Sequence, residues 1–182
     1  VNDCSTDNTK NEIKGISESI NGNIVVIDLA YKHGLETAML AGTDFAIGDF
    51  VYEIDSPIIN FDLKEIMCIY KKSLEGYDIV AATPNAEIDF SSKIFYIYLN
   101  KVSQRRMELT TECFRIVSRR ALNRIFKNKE KLRYRKALYH YSGFKTFIHT
   151  YEIINDEKPK ARLNLMEKMQ LGSDVLVNFS NI

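Results

Sequence analysis

Apolar runs alternate with helical patterns along the first half of the chain. Apolar residues recur at helical spacing over residues 34–46 and again after Asp62. Three apolar, mostly β-branched runs have the length of strands that are covered on both faces: residues 24–29, Phe50–Ile54 and residues 77–82. Strands that alternate with helices at this spacing indicate right-handed βαβ crossovers. We therefore predict an α/β fold, a three-layer α/β/α sandwich with a mainly parallel central sheet.

The second half of the chain is less regular, and no linker separates it from the first. We expect one domain over residues 1–182, because this length suits a single core. The elements predicted here are helices over residues 91–102, 119–126 and 161–171, with strands over 113–117 and 147–154.

Composition excludes few classes of protein. The 25 Lys and Arg residues nearly balance the 24 Asp and Glu residues, so global charge does not indicate a nucleic-acid partner. The cysteines Cys4, Cys68 and Cys113 are odd in number and form no CxxC pair. This pattern indicates a reduced intracellular protein without a zinc site. No apolar run approaches the ~20 residues of a membrane span.

The clearest candidate for chemistry is Asp55, which directly follows the strand Phe50–Ile54. A strand that ends on a carboxylate places it at the carboxyl edge of the sheet, where open α/β sheets bind ligands. Asp55 could equally cap the turn at Ser56. Asn60 and Asp62 are further oxygen ligands nearby, although Asp62 is at least as well placed to cap the following helix.

Several collinear segments resemble one enzyme family. VNDCSTDNT resembles the VDDGSTDNT motif of inverting family 2 glycosyltransferases of the GT-A fold. KHGLETAMLAGTDFAIGD, followed by a strand ending in Asp, is similar to their polyprenyl-phosphate branch, which includes dolichol-phosphate mannosyltransferase and the bactoprenol glucosyltransferases. EGYDIVAAT, FYIYLNKVS, FRIVSRRAL and the closing NFS resemble the same branch in the same order.

The resemblance implies a reaction and its partners. A hexose would pass from a UDP- or GDP-sugar to polyprenyl phosphate or another lipid acceptor, at the cytoplasmic face of a membrane, in cell-surface glycan synthesis. Mg²⁺ or Mn²⁺ would hold the diphosphate. The family's first strand and helix should precede Val1, and its membrane-anchoring helices should follow Ile182, so the chain resembles a fragment of the catalytic domain.

The resemblance also implies roles for individual residues. Asp55 matches the first carboxylate of the family's DxD motif and would contact both metal and nucleotide. Asp3, Ser5 and Asp7 match the nucleotide-binding segment. The remaining implied roles are catalytic for Asp55, Arg115 and Glu112, and acceptor-phosphate binding for Arg115 and Arg119.

The chain departs from the family pattern at several of these positions. The second DxD position is Pro57, the following glutamine is Ile59, and the aspartate before Phe114 is Cys113. These changes support a second hypothesis: a catalytically impaired GT-A domain that serves as a nucleotide-binding or assembly partner.

Residues 119–136 are strongly basic. Such a run is most often a solvated face, but it also suits an anionic membrane surface. His33, His140 and His149 have no ligand spacing, so structural roles are favoured for them. The sequence leaves homo-oligomerisation open. The basic residues of the run are Arg119, Arg120, Arg124, Lys127, Lys129, Lys131, Arg133, Arg135 and Lys136.

Overall fold

The structure is a computed structural model that describes residues 1–56, 58–86, 93–94, 97, 112–127 and 135–154. The chain divides into two compact units, Val1–Ile47 and Gly48–Ile182. The expectation of a single domain stays a prediction. Most of the helix predicted over residues 91–102, all of the helix predicted over 161–171, and Pro57 lie outside the described residues.

The first unit contains two helices, α1 (Thr9–Ser19) and α2 (Leu35–Phe45). Helix α1 buries none of its residues, whereas α2 buries Ala38 and Thr43. Gly34 precedes α2 with a φ of 89°, a backbone conformation that favours glycine. The helix predicted over residues 34–46 is therefore confirmed, with its start fixed by this glycine.

The strand predicted over residues 24–29 is wrong. In the described structure this segment makes one isolated parallel bridge, between Asn2 and Asp28. The Asn2 N–H donates to the Ile27 carbonyl at 2.8 Å, and the Leu29 N–H donates to the Asn2 carbonyl at 3.0 Å. Val25 is 60% exposed. An apolar β-branched run favours a strand, but a strand forms only where a neighbouring segment continues the pairing.

The second unit carries the sheet. Those of its predicted elements that lie within the described residues are confirmed within a few residues, and the helix Arg135–Tyr141 was not predicted. Within the described residues, its elements in chain order are β1 (Phe50–Ile54), α3 (Lys64–Leu74), β2 (Ile79–Pro84), β3 (Phe114–Ser118), α4 (Arg119–Lys127), α5 (Arg135–Tyr141) and β4 (Thr146–Tyr151).

The four described strands form one sheet in the order β1-β3-β2-β4. Strand β3 pairs antiparallel with both β1 and β2, and β2 pairs parallel with β4. Strands β1, β2 and β4 therefore run in one direction and β3 runs against them.

Both faces of this sheet are covered, because its side chains alternate between two cores. Ile79 and Val117 pack with α4 and α5, in a core that includes Leu122 and Leu138. Val80, Phe114 and Ile116 face the other way and pack with Phe61 and with Ile69 of α3. The predicted three-layer α/β/α arrangement is confirmed for this unit.

Candidate active site

Two acidic side chains of β1 and its exit share one face of the sheet. Glu53 and Asp55 are two residues apart, so both project to the face that Val51 shares with α4 and α5. Opposite Glu53 in the antiparallel register lies Arg115 of β3. The Arg115 guanidinium lies 3.3 Å from Glu53 Oε2 and 3.3 Å from Asp55 Oδ2. The sheet itself thus brings the cation and both carboxylates together.

Helix α5 supplies the second cation and a phenol. Arg135 and Tyr139 are four residues apart and therefore lie on one side of the helix. Arg135 Nη1 lies 2.6 Å from Glu53 Oε2, and its Nη2 lies 2.9 Å from Asp55 Oδ1. The Tyr139 hydroxyl donates a hydrogen bond to Glu53 Oε1. Each of the two acids is thus paired with both arginines.

The third acid, Glu112, immediately precedes β3 and is more open to solvent. Its Oε2 lies 3.1 Å from Arg115 Nη2, and its side chain is 15% exposed, against 1% for Glu53 and 5% for Asp55. We call the set Glu53, Asp55, Glu112, Arg115, Arg135 and Tyr139 the charge cluster.

Among the described contacts, three carboxylates and two guanidinium groups meet in the charge cluster. Burial by itself lowers the pKa of Arg115, but Glu112, Asp55 and Glu53 outweigh it and raise that pKa above its ordinary value. Burial raises the pKa of Tyr139, and the Glu53 carboxylate raises it further. Arg115 therefore stays charged, and Tyr139 stays a hydrogen-bond donor.

The described contacts do not suit a divalent cation at Asp55. Its two carboxylate oxygens face Arg135 and Arg115 at 2.9 and 3.3 Å. A metal ion on either oxygen would stand beside a guanidinium group, and like charges that close repel strongly. Pro57 offers no side-chain ligand where the family has its second aspartate. Mg²⁺ or Mn²⁺ on Asp55 stays a prediction.

The two arginines predicted to bind acceptor phosphate do not lie together. Arg119 follows β3 at the end where Ser118 pairs with Phe50, whereas Arg115 pairs with Glu53. Four residues of strand separate the two Cα atoms by about 13 Å. Arg119 Nε donates to the Gly48 carbonyl at 2.8 Å. Among the described residues, the buried atoms Arg115 Nε and Arg119 Nη2 have no hydrogen-bond partner.

In the first unit, Asp3 organises a turn. One of its carboxylate oxygens accepts from the His33 N–H at 2.7 Å and the other from the Gly34 N–H at 2.8 Å. Both oxygens keep further lone pairs, so a nucleotide contact by Asp3 stays a prediction.

The other two residues of the predicted nucleotide-binding segment are exposed. The Ser5 N–H donates to the Asn2 side chain at 3.2 Å. The Asp7 carboxylate accepts from the Thr9 hydroxyl and N–H, and these bonds lower the pKa of Asp7. Asp7 therefore stabilises the start of α1, and the nucleotide roles of Ser5 and Asp7 stay predictions.

The alternative oxygen ligands have structural contacts. Asp62 accepts from the Lys64 N–H at 3.0 Å, two residues further on, and this bond lies just before α3, whose N-cap residue is Leu63. Asn60 is buried, and its side-chain oxygen accepts from the Tyr151 hydroxyl at 3.3 Å.

The described part of the basic run, residues 119–127 and 135–136, is only partly a solvated face; Lys129, Lys131 and Arg133 lie outside the described residues. Arg135 is buried in the charge cluster, which corrects its assignment to that face. Arg120 is 74% exposed but pairs with the buried Asp78 through two nitrogen atoms. Arg124 and Lys127 are exposed on α4. The sequence did contain a signal that Arg135 is buried, because Arg135 lies one helical turn from the largely apolar side chain of Tyr139.

The mixed sheet with helices on both faces is consistent with a GT-A glycosyltransferase fold. The solved glucosyl-3-phosphoglycerate synthase of Mycobacterium tuberculosis, in complex with phosphoglyceric acid, superposes with a TM-score of 0.62. The match covers 97% of this chain and 66% of that one. Because the identity is 17%, the match is evidence for the fold alone.

Sequence comparison supports the family. Residues 1–58 match glycosyl transferase family 2. The chain is 28% identical over its whole length to CsbB of Bacillus subtilis (strain 168), named as a glycosyltransferase. It is 31% identical over 81% of its length to sll0501 of Synechocystis sp. (strain ATCC 27184 / PCC 6803 / Kazusa), named as an uncharacterized glycosyltransferase. The chain is therefore similar to family 2 glycosyltransferases over residues 1–58, and to proteins named as glycosyltransferases over most of its length.

The chain covers 56% of CsbB and 48% of sll0501, so it spans about half the length of these relatives. Within the described residues, no helix is both long and apolar enough to cross a membrane.

Proposed function

We propose that this chain is the donor-binding and catalytic part of a glycosyltransferase that moves a hexose from a UDP- or GDP-sugar to polyprenyl phosphate or another membrane-associated acceptor. The observation that carries the proposal is the charge cluster at the carboxyl end of β1, in a chain whose first 58 residues match family 2. The reaction would occur at the cytoplasmic face of a membrane, with the exposed Arg124 and Lys127 near anionic lipid.

The transfer forms a bond between C1 of the hexose and an acceptor oxygen. The bond from C1 to the nucleotide diphosphate breaks, and the diphosphate leaves with the electron pair. A phosphate acceptor is already an anionic nucleophile at neutral pH, so it needs an orienting cation more than a base. Arg115 stays charged and pairs with Glu112, the most exposed carboxylate of the charge cluster, which suits that orienting role.

A hydroxyl acceptor would instead lose a proton during the transfer and would need a general base. Glu112 is the most exposed carboxylate of the charge cluster and is the candidate for that base. Asp55 and Glu53 would hold Arg115 and Arg135 in position. Transfer to a phosphate should therefore tolerate Glu112→Gln, whereas transfer to a hydroxyl should fall by roughly 10²-fold or more.

Calorimetry with UDP and GDP, with and without Mn²⁺, tests donor binding. We expect weak nucleotide binding and little Mn²⁺ binding in the absence of nucleotide, since Asp55 is paired with two arginines. Asp3→Ala should weaken nucleotide binding, while Asp44→Ala, at an exposed aspartate of α2, should not. Tight Mn²⁺ binding without nucleotide would contradict the arginine-paired description of Asp55.

Transfer of labelled hexose to polyprenyl phosphate in detergent tests the reaction. We expect slow turnover that Asp55→Ala lowers by roughly 10²-fold, because the variant leaves Arg115 and Arg135 without one of their anchoring carboxylates. Turnover that survives Asp55→Ala would remove Asp55 from the catalytic assignment.

A second candidate function is a catalytically impaired domain that binds nucleotide or serves as an assembly partner. It is favoured by one observation, the pairing of both Asp55 oxygens with arginines where the family would place a metal. Nucleotide binding without transfer to either acceptor class would establish this candidate, and the absence of nucleotide binding would reject both.

A further inference from the structure

Three potential metal ligands meet on the sheet face opposite the charge cluster. Glu65 and Cys68 lie three residues apart on α3, so they are neighbours on its surface. His149 comes from β4, in register with Ala82 of β2. His149 Nε2 lies 2.6 Å from Glu65 Oε2, and one ligand atom from each of the three residues lies within 4.8 Å of the other two.

The three donor atoms belong to three chemical types: a carboxylate oxygen, an imidazole nitrogen and a thiol sulfur. Mg²⁺ and Ca²⁺ prefer oxygen ligands, so this set does not suit them. Zn²⁺ binds all three types at about 2.0–2.3 Å, which places ligand atoms of one tetrahedral ion roughly 3–4 Å apart. Side-chain adjustments of about an ångström would bring the three atoms to that spacing.

The surroundings permit an ion with one open position. The side chains of Glu65 and His149 are 13% and 25% exposed, and Cys68 is exposed, so solvent reaches the group from one side. Lys64 is the neighbouring cation, and its ammonium interacts with Glu65 and Cys68. Its Nζ lies 2.9 Å from Asp62, however, which holds it against a different carboxylate.

We propose that Glu65, Cys68 and His149 form a binding site for a thiophilic divalent cation, with Zn²⁺ as the expected ion. The ion would replace the proton between His149 and Glu65 and would tie α3 to β4. The site lies outside the charge cluster, and the proposal does not depend on the proposed transfer reaction. Sequence spacing gave no sign of it, because His149 stands 84 residues from Glu65.

Cobalt substitution and zinc calorimetry on the reduced chain test this site. Co²⁺ should bind at one equivalent and give the near-ultraviolet charge-transfer band of a thiolate ligand. Cys68→Ser should remove that band, and Cys4→Ser, at another exposed cysteine, should leave it unchanged. Loss of an outer-sphere partner already costs about 10- to 100-fold in metal affinity, so Cys68→Ser, Glu65→Gln and His149→Gln should each weaken Zn²⁺ binding at least about tenfold.

A stability measurement keeps the test independent of spectroscopy. Zn²⁺ that binds the folded chain should raise Tm, and this rise should be lost in Cys68→Ser and His149→Gln but kept in Cys4→Ser. If Cys68→Ser folds poorly, Cys68→Ala takes its place, provided that its far-ultraviolet circular dichroism spectrum matches that of the native chain. Equal Zn²⁺ affinity in the native chain and Cys68→Ser, or a charge-transfer band that depends on Cys4, would overturn the proposal.

Discussion

The unit Val1–Ile47 and the sheet of the second unit are stabilised by different interactions. In the first unit the buried residues are Asn2, Ala38 and Thr43, and the apolar side chains of Ile20 and Val25 are at least half exposed. In the second unit, both faces of the sheet carry fully buried apolar side chains, and a cluster of charges is buried beside them. Packing therefore stabilises the second unit far more than the first.

The residues that match the family are therefore mostly not the residues whose packing stabilises the chain. The family match covers residues 1–58 and so falls mainly on the weakly buried first unit. Hydrogen bonds to Asp3 and a glycine turn fix the conformation there. In the second unit, long-range contacts decide which charged side chains meet.

Removal of one buried cation should have the largest effect on stability. Arg135→Met removes one of the two arginines that pair with Glu53 and Asp55, and loss of one member of a buried ion pair costs about 3–5 kcal/mol. Urea unfolding would measure this change in the free energy of unfolding. Arg124→Met, the same replacement at an exposed position, should change it by less than about 1 kcal/mol. Similar losses of unfolding free energy in the two variants would mean that the charge cluster stabilises the chain no more than surface ion pairs do.

Two glycines of the first unit should respond in opposite directions to the same substitution. Gly34→Ala places a side chain at a φ of 89° and should destabilise the chain by about 1–2 kcal/mol. Gly15→Ala, within the exposed helix α1 where an added Cβ meets nothing within 4 Å, should stabilise it by about 0.5–1 kcal/mol. Thermal unfolding of both variants gives the comparison. Equal signs would show that the turn before α2 does not constrain the first unit.

The smallest effect concerns alkaline pH. The folded pKa of Tyr139 lies above the ordinary value of 10.0, so the folded state holds this proton more tightly than the unfolded state. That stability is fully present below pH 10.0 and is lost as pH rises through the folded pKa. Tyr139→Phe should therefore lose less stability than the native chain above about pH 10. Urea midpoints measured against pH, with Tyr31→Phe at an exposed tyrosine as control, test this expectation. Parallel pH profiles for the native chain and Tyr139→Phe would contradict it.

Local pattern was sufficient to predict much of the second unit. The strand Phe50–Ile54 and the position of Asp55 at its end agree with the structure. Asp55, Glu112 and Arg115 were proposed on resemblance, and the antiparallel register of β1 and β3 brings them together. Arg119 was proposed for the same phosphate as Arg115, but it stands at the other end of β3.

The sequence by itself determined the apolar periodicity, the ends of the strand Phe50–Ile54 and the motifs that resemble the family, because each depends on residues close together in the chain. Only the tertiary structure decided that residues 24–29 pair at a single bridge, and that Arg135 is buried and pairs with Asp55. These outcomes depend on partners that lie far away in sequence, 26 residues for the bridge between Asn2 and Asp28 and 80 for Arg135 and Asp55. The charge and hydrophobicity of a side chain determine which kind of partner stabilises it when it is buried. The packing of α5 on the sheet determines which residue is that partner.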